Sequence, residues 1–593
     1  MLGFLRWTRS ILVGALNGLV MFVVAVSIIA GIAALVGLAQ GDGLPSRMVL
    51  TADLHGSLSD STPQSAFNLG PRPLSIMDMV LALDHAGRDA RVQGLFLRLG
   101  GSQIYVPQAE ELSAAVKRFR AAGKFVIADA PGFSSPGLGD YLLASSANEI
   151  WMQPVSPFSP SGTGAGAVFL RGLFDKIQAV PQIVKRADFK SAADMFMEKG
   201  YTPADRLQVT ALLQSWYDTA TDAAAAQRNL TPAALAADLQ NSPQFTEDAK
   251  KAGLIDKIGY DDDAKASAMA RAGEGAEAVK LRRYLEDVDM DTAFGGGERV
   301  ALIAGGGEIV DGSADGGIFG NRSIIAGDDF AQAIRDATRD KQVKAILLRI
   351  DSPGGSVSAS DQILDAVKKA QAAGKPVVVS MGSVAASGGY YISASANRIV
   401  AERGTITGSI GVLTGKVSFG KTLGLIGVGS DEIGVGKNAL FNSSLSPYTP
   451  DQLAALNRQA DVIYANFMKE VAVGRKLPLE KVQAIAKGRV WSGADAKSQG
   501  LVDDLGGFWT AVADVKRLAG ISDGTPIVFK RYPHQRGFFE AVSELFGQSA
   551  VSVRALAGWA NLANTPVARA AIAAVSASPQ GGVELRATNL PVD

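Results

Sequence analysis

The chain predicts two α/β domains in tandem, each a largely parallel sheet covered by helices, with a transmembrane helix at the N-terminus. Three observations carry this. The sequence repeats itself at an interval of about 250 residues, the kind of period that marks a duplicated unit. Within each copy, continuous apolar runs alternate with amphipathic stretches, which reads as parallel strands buried on both faces. Ahead of both copies lies a long segment without a charged side chain.

That first segment is residues 11–39, "ILVGALNGLVMFVVAVSIIAGIAALVGLA". As a helix at about 1.5 Å per residue it exceeds the roughly 30 Å apolar slab of a bilayer. Arg6 and Arg9 precede it and no basic residue follows until Arg47. The positive-inside rule then sets a short cytoplasmic N-terminus and an external remainder. A cleaved signal peptide is the competing reading, but the stretch is long for one and no compelling small-x-small site follows.

The repeat begins with "VQGLFLRLGG" (92–101) against "VKAILLRIDSPGG" (343–355). It continues with "GKFVIADA" (123–130) against "GKPVVVSM" (374–381), and "YLLASSANEI" (141–150) against "YYISASANRI" (390–399). "YTPADR" (201–206) answers "YTPDQL" (448–453), and "DAKKAGLIDKIG" (248–259) answers "DAKSQGLVDDLG" (495–506). Five matches in one order define the unit. In the second copy the expected elements are a strand over 343–350, a helix over about 358–372 and a strand over 375–381, with active residues beyond the strands' carboxyl ends.

The expected division is 1–45 for cytoplasmic stub, membrane helix and stalk, 46–297 and 298–530 for the two domains, and 531–593 for a C-terminal extension. Residues 204–240, with "TATDAAAAQR", read as a helical elaboration on the first copy. The extension holds "GFFEAVSELFG", a stripe that suits core packing better than a membrane surface.

Composition limits the chemistry. At 593 residues the chain exceeds one core. Zero formal charge and the lack of a basic run argue against nucleic acid as a partner. Without cysteine there is no disulfide, thiolate metal site or cysteine nucleophile. The histidines, His55, His85 and His534, are scattered, so a catalytic base is sought among lysines and carboxylates, and no metal or other cofactor is expected.

One stretch invites catalysis: "MGSVAASGGYYIS", 381–393. Small residues and Gly388–Gly389 permit a strand-to-helix elbow that exposes Ser387 at the sheet edge. A helix cap is the plainer role for that serine. The repeat bears on the choice, because Leu138 stands opposite Ser387 and has no hydroxyl to cap with. Nearby, "DSPGG" (351–355) offers backbone N–H groups for an oxyanion, where the first copy has "GGSQ". A base is still required. Lys190 in "RADFKSAADMF" (186–196) sits among small and apolar residues, and Asn442 in "NALFNSSL" (438–445) replaces it in the second copy. Each copy thus carries one partner and lacks the other, the pattern expected of one composite site. Without the repeat, Lys190 reads as an ordinary surface lysine. Ser409, in "GTITGSIGV" (404–412), is compatible with a plain turn or with a hydroxyl returning towards Ser387.

"DSPGG", "ASGGYY", "TGSIG" and "FKSA", in that arrangement, resemble the long tandem form of the S49 serine peptidase family, over nearly the whole chain. The resemblance implies crotonase-like (Clp-protease-like) domains and a serine endopeptidase with a Ser-Lys dyad. It assigns Ser387 as nucleophile, Lys190 as general base, Ser409 as the residue orienting the lysine, and Gly355 with Gly388 as oxyanion donors. It also implies a membrane-anchored homo-oligomer, a tetramer, on the periplasmic side of the bacterial inner membrane, with membrane lipid as a partner. Peptides, cleaved signal peptides among them, are the implied substrates. The sequence departs from the family's common wording at Ser383 and Val384, where a polar or acidic residue is usual. Two rival readings stay open from the residues alone: an acyl-coenzyme A site on the same fold, which makes no use of Lys190, and a non-catalytic scaffold.

Overall fold

The computed structural model describes residues 43–56, 58–61, 74–101, 104–133, 137–287, 297–313 and 324–533, and the backbone of 584–586. Two sheets are built on one plan. In the first, the parallel order is Lys257–Ile258, Glu149–Met152, Phe125–Ala130, Val92–Arg98, Met48–Asp53 and Glu277–Lys280. In the second, Asp504–Leu505, Arg398–Ala401, Val377–Ala386, Val343–Ser352, Glu298–Gly306 and Ile527–Arg531 follow the same order, also in parallel.

The motifs repeated in sequence are the fastenings of this plan. Lys124 Nζ donates to the carbonyls of Asp89 and Val92, and Lys375 Nζ to those of Asp340 and Val343. Asn148 and Asn397 each accept from the first residues of a central strand, at Val126 and Val377. The Tyr141 hydroxyl donates to Leu254 O, and that of Tyr390 to Leu501 O. Each side chain ties a turn or strand end of its own copy to the neighbouring strand by hydrogen bonds to backbone groups. The helical elaboration is two helices, Pro203–Arg228 and Pro232–Gln240.

The strand leading to Ser387 is longer than the sequence suggests. It runs over Val377–Ala386 because, beyond an irregularity in its pairing with Val343–Ser352, Val384–Ala386 pairs with a further strand, Ile406–Gly408. Ile406–Gly408 is in turn antiparallel to Val490–Ser492. A third sheet has the order Ile324–Ala326, Glu308–Val310, Gly354–Ser356, Glu584–Arg586, Leu413–Ser418, Val180–Lys185. Its last strand belongs to the first half and lies antiparallel to Leu413–Ser418 of the second.

The halves share a core. Successive residues of a strand face opposite sides of its sheet. Accordingly Leu347 and Val378 pack with Leu50, Leu97 and Leu143 of the first half, whereas Leu348 and Val379 pack with Tyr390 and Ile363 on the other face. Arg349 follows Leu347 on the side facing the first half and is 2% exposed. Its guanidinium binds Asp60 at 2.6 Å and Glu111 at 2.8 Å, both from the first half, and the Ser380 hydroxyl at 2.8 Å. Glu110, Asp351 and Glu402 surround this ion group. Burial pushes Glu110 and Asp351 each up to about 7, and Glu402 well above the usual carboxylate range.

The expected transmembrane helix is corrected here. No helix among the described residues is long and apolar enough to cross a membrane. The longest, Pro203–Arg228 and Pro450–Gly474, are interrupted by charged residues such as Asp205, Asp218 and Asp222, and Arg458, Asp461 and Lys469. Residues 11–39 and the stripe 537–547 lie outside the described residues. The fold class that the described residues show is the tandem α/β domains. Without a spanning helix, the described residues do not support membrane lipid as a partner, single-pass placement in a bacterial inner membrane, or membrane-anchored breakdown of signal peptides.

Two outcomes are expected. Arg349→Met leaves Asp60 and Glu111 buried without their cation and costs ~3–5 kcal/mol, read as a lowered urea midpoint. Between the ordinary carboxylate value and about 7, the folded chain retains protons on Glu110 and Asp351 that the unfolded chain has released. Stability therefore falls as pH rises through that window. Burial also holds the Glu402 carboxyl well above its ordinary range, so Glu402→Gln, permanently neutral, should raise stability at pH 8 and flatten the slope. Melting curves from pH 5 to 8 check both the slope and its reduction.

Candidate active site

Ser387 stands between the end of the strand Val377–Ala386 and the helix Gly388–Ser393. Its backbone, at φ 55° and ψ −115°, is one that side chains other than glycine seldom adopt. Two hydrogen bonds hold it there: Ser387 N donates to Gly408 O at 2.8 Å, and Tyr391 N to Ser387 O at 2.8 Å. The turn needs its glycines. A Cβ on Gly388 would lie 3.1 Å from Gly355 N, and one on Gly355 would lie 2.0 Å from Ile309 O. The backbones of "DSPGG" and "SGG" are thus packed against each other immediately beside the serine.

Lys190 arrives from the first half. After the strand Val180–Lys185, Arg186 N donates to Val412 O and Phe189 N to Lys487 O, which seats the lysine segment on the second half. Gly488 makes room for it, since a Cβ there would come within 2.6 Å of the lysine Cβ. Lys190 Nζ lies 2.7 Å from Ser387 Oγ, 3.0 Å from Ser409 Oγ and 3.1 Å from Ser409 O. All three residues are 0% exposed. Ser409, at φ 51°, is fixed by its N–H donating to Arg489 O at 2.7 Å.

Burial pushes the Lys190 amine well below its ordinary value. A neutral amine has two hydrogens and one lone pair. With the hydrogens given to Ser409 Oγ and Ser409 O, the lone pair faces Ser387 Oγ. This arrangement can take a proton from the serine hydroxyl without a histidine or a carboxylate.

All five residues singled out in the sequence, Ser387, Lys190, Ser409, Gly355 and Gly388, therefore meet in one place. Their counterparts in the repeat do not form such a place: Leu138 begins a buried helix, and Asn442 is exposed. Sequence reading missed Gly488, Gln208 and Asp205. It also missed Arg349, though a cation set directly after the apolar run Ala345–Leu348 signals buried anions opposite. Among the described residues no group of histidine or carboxylate side chains is arranged to hold a metal ion.

Comparison with known proteins finds matches in both halves of the chain. The model of peptidase family S49 matches residues 118–274 and 369–522, one stretch in each half. A Clp protease model matches residues 329–406. The chloroplastic serine protease SPPA of Arabidopsis thaliana is 33% identical over 488 residues, 80% of this chain and 69% of that one. Protease 4 of Salmonella typhi is 33% identical over 551 residues, covering 87% and 86%. Protease 4 of Haemophilus influenzae is 31% identical over 546 residues, covering 86% of each. Matched in both halves and along most of its length, the chain is a serine endopeptidase and belongs to peptidase family S49.

Proposed function

We propose that Ser387 is the nucleophile and Lys190 its general base in the hydrolysis of peptide bonds. The observation that carries this reading is the 2.7 Å approach of a fully buried amine to a fully buried hydroxyl. Neutral Lys190 takes the hydroxyl proton as Ser387 Oγ bonds to the substrate carbonyl carbon, and the carbonyl electron pair moves onto oxygen. Backbone N–H groups at Gly355 and Gly388 stabilise that oxyanion. Protonated Lys190 then gives its proton to the leaving amine as the C–N bond breaks. Water, deprotonated by Lys190, attacks the acyl-serine, and the serine leaves with the proton. Ser409 keeps the amine's lone pair aimed at Ser387.

The substrate is a peptide bound in extended form. Supporting this, the chain's own strand Glu584–Arg586 pairs antiparallel with Gly354–Ser356 and meets Leu413 on its other side. An extended peptide added at this place would bring its backbone to the oxyanion turn, with affinity from main-chain hydrogen bonds.

A fluorophosphonate that phosphonylates active serines with loss of fluoride, read by intact mass and peptide mapping, tests the dyad. One adduct on Ser387 is expected, absent in Ser387→Ala and slowed about 10²–10⁴-fold in Lys190→Ala. Labelling of Lys190→Ala at the wild-type rate would sink the reading. The wild-type rate should rise with pH as Lys190 loses its proton, then level off, with a midpoint well below the ordinary lysine value. Ser409→Ala removes one hydrogen bond worth about 1 kcal/mol and should slow labelling roughly fivefold. Deleting residues 534–593 should lower KM for a peptide substrate if that substrate takes the place of Glu584–Arg586; an unchanged KM argues for another mode of binding.

A further inference from the structure

Lys190 is held by its backbone, and the grip on that backbone comes from a side chain no catalytic pattern would single out. Gln208 lies on the first turns of the helix Pro203–Arg228 and is 1% exposed. Its amide nitrogen is 3.0 Å from Phe189 O, 3.0 Å from Ser191 Oγ and 2.9 Å from Asp205 Oδ1. Phe189 and Ser191 are the two neighbours of Lys190. The amide oxygen of the same side chain accepts from Val490 N at 3.1 Å. Val490 pairs with Gly408 across the antiparallel strands, Gly408 O accepts from Ser387 N, and the adjoining Arg489 O accepts from Ser409 N.

We infer that Gln208 is a positioning residue for the dyad, joining the lysine segment of the first half to the antiparallel strand pair of the second half that holds Ser387 and Ser409. The inference rests on the Lys190–Ser387 reading above and extends it to what sets the distance between the two. Gln208 touches neither reacting atom; it acts through Phe189, Ser191 and Val490.

The chemistry is particular to a primary amide. One end must donate to a backbone carbonyl while the other accepts from a backbone N–H. A carboxylate of the same shape keeps the acceptor and loses the donor, and an apolar residue loses both. Asp205 completes the arrangement. Ser191 Oγ donates to Asp205 Oδ1 at 2.7 Å, so the serine hydroxyl is fixed between an acceptor and the donor Gln208. In the second copy the residue matching Asp205 is Gln452, which closes a capping box on Thr449 N at 3.0 Å. In the first copy Thr202 still caps Asp205 N, but the Asp205 carboxylate is turned to Ser191 and Gln208. The copy that carries the lysine has diverted a helix-capping position to hold it.

The test uses the full chain and three variants, Gln208→Ala, Gln208→Glu and Asp205→Asn, with Lys190→Ala alongside. Fluorophosphonate labelling of Ser387 is followed from pH 6 to 10 and normalised to the number of sites that finally label, so that misfolded molecules are not counted. Both Gln208 variants are expected to label on the order of 10²-fold more slowly, the effect of about 1 Å of misplacement. Their pH midpoint should move up towards that of an ordinary lysine as water reaches the amine. On a peptide substrate kcat should fall with KM unchanged. Asp205→Asn keeps an acceptor for Ser191 and should retain most of the rate. The inference is overturned if Gln208→Glu labels at the wild-type rate per site with the wild-type midpoint, or if its only defect is fewer competent sites. Slow Lys190→Ala with fast Gln208 variants overturns this inference alone; fast Lys190→Ala overturns the dyad beneath it.

Discussion

Removal of one amine from water is the constraint on which the site depends. Desolvation alone brings Lys190 below its ordinary value; the groups around Nζ are two hydroxyls and a carbonyl, not a second cation. Desolvation is demanding because it fails if solvent enters on any side. The lysine segment is therefore covered from both halves, by Gly488 beneath its Cβ, by the pairing of Val180–Lys185 with Leu413–Ser418, and by the polar clamp at Gln208. Packing here has a chemical purpose. A looser fit would leave an ordinary protonated lysine beside an ordinary serine.

The same docking is fixed at a second, purely electrostatic point. Arg349 reaches from the central strand of the second half to Asp60 and Glu111 of the first. A buried ion group is weak evidence for stability, yet it discriminates sharply against misregistered docking, because a displaced guanidinium would strand charges in an apolar core. Asp351 sits next to this group and also accepts from Val384 N at 2.9 Å, at the start of the segment leading to Ser387. The electrostatic joint and the catalytic turn are therefore neighbours in one strand-loop unit.

What the sequence made legible is what repetition exposes. The tyrosine, asparagine and lysine fastenings recur at matching positions because each performs a local task within its own copy. Ser387 and Lys190 stood out for the opposite reason: each breaks the repeat where the other copy has Leu138 or Asn442. Gln208 and Gly488 were invisible because each meets a partner from the other half, Val490 and Lys190, and Asp205, though inside the repeated "YTPADR", reads there only as a helix-start position. The extra length of the strand before Ser387 was hidden too, since its last residues are strand only by virtue of Ile406–Gly408. The 29-residue apolar run at 11–39 was legible as composition, but the expectation built on it has no counterpart among the described helices.

Division of the proposed dyad between halves also orders its birth. Lys190 is synthesised 197 residues before Ser387, and Ser409 follows later still. A nascent chain, or any fragment that stops short of the second half, holds a base with nothing to activate; a fragment lacking the first half holds a hydroxyl with no base. Hydrolytic power cannot emerge from the ribosome piecemeal. On the Lys190–Ser387 reading it appears only when the second half has been made and has closed on the first.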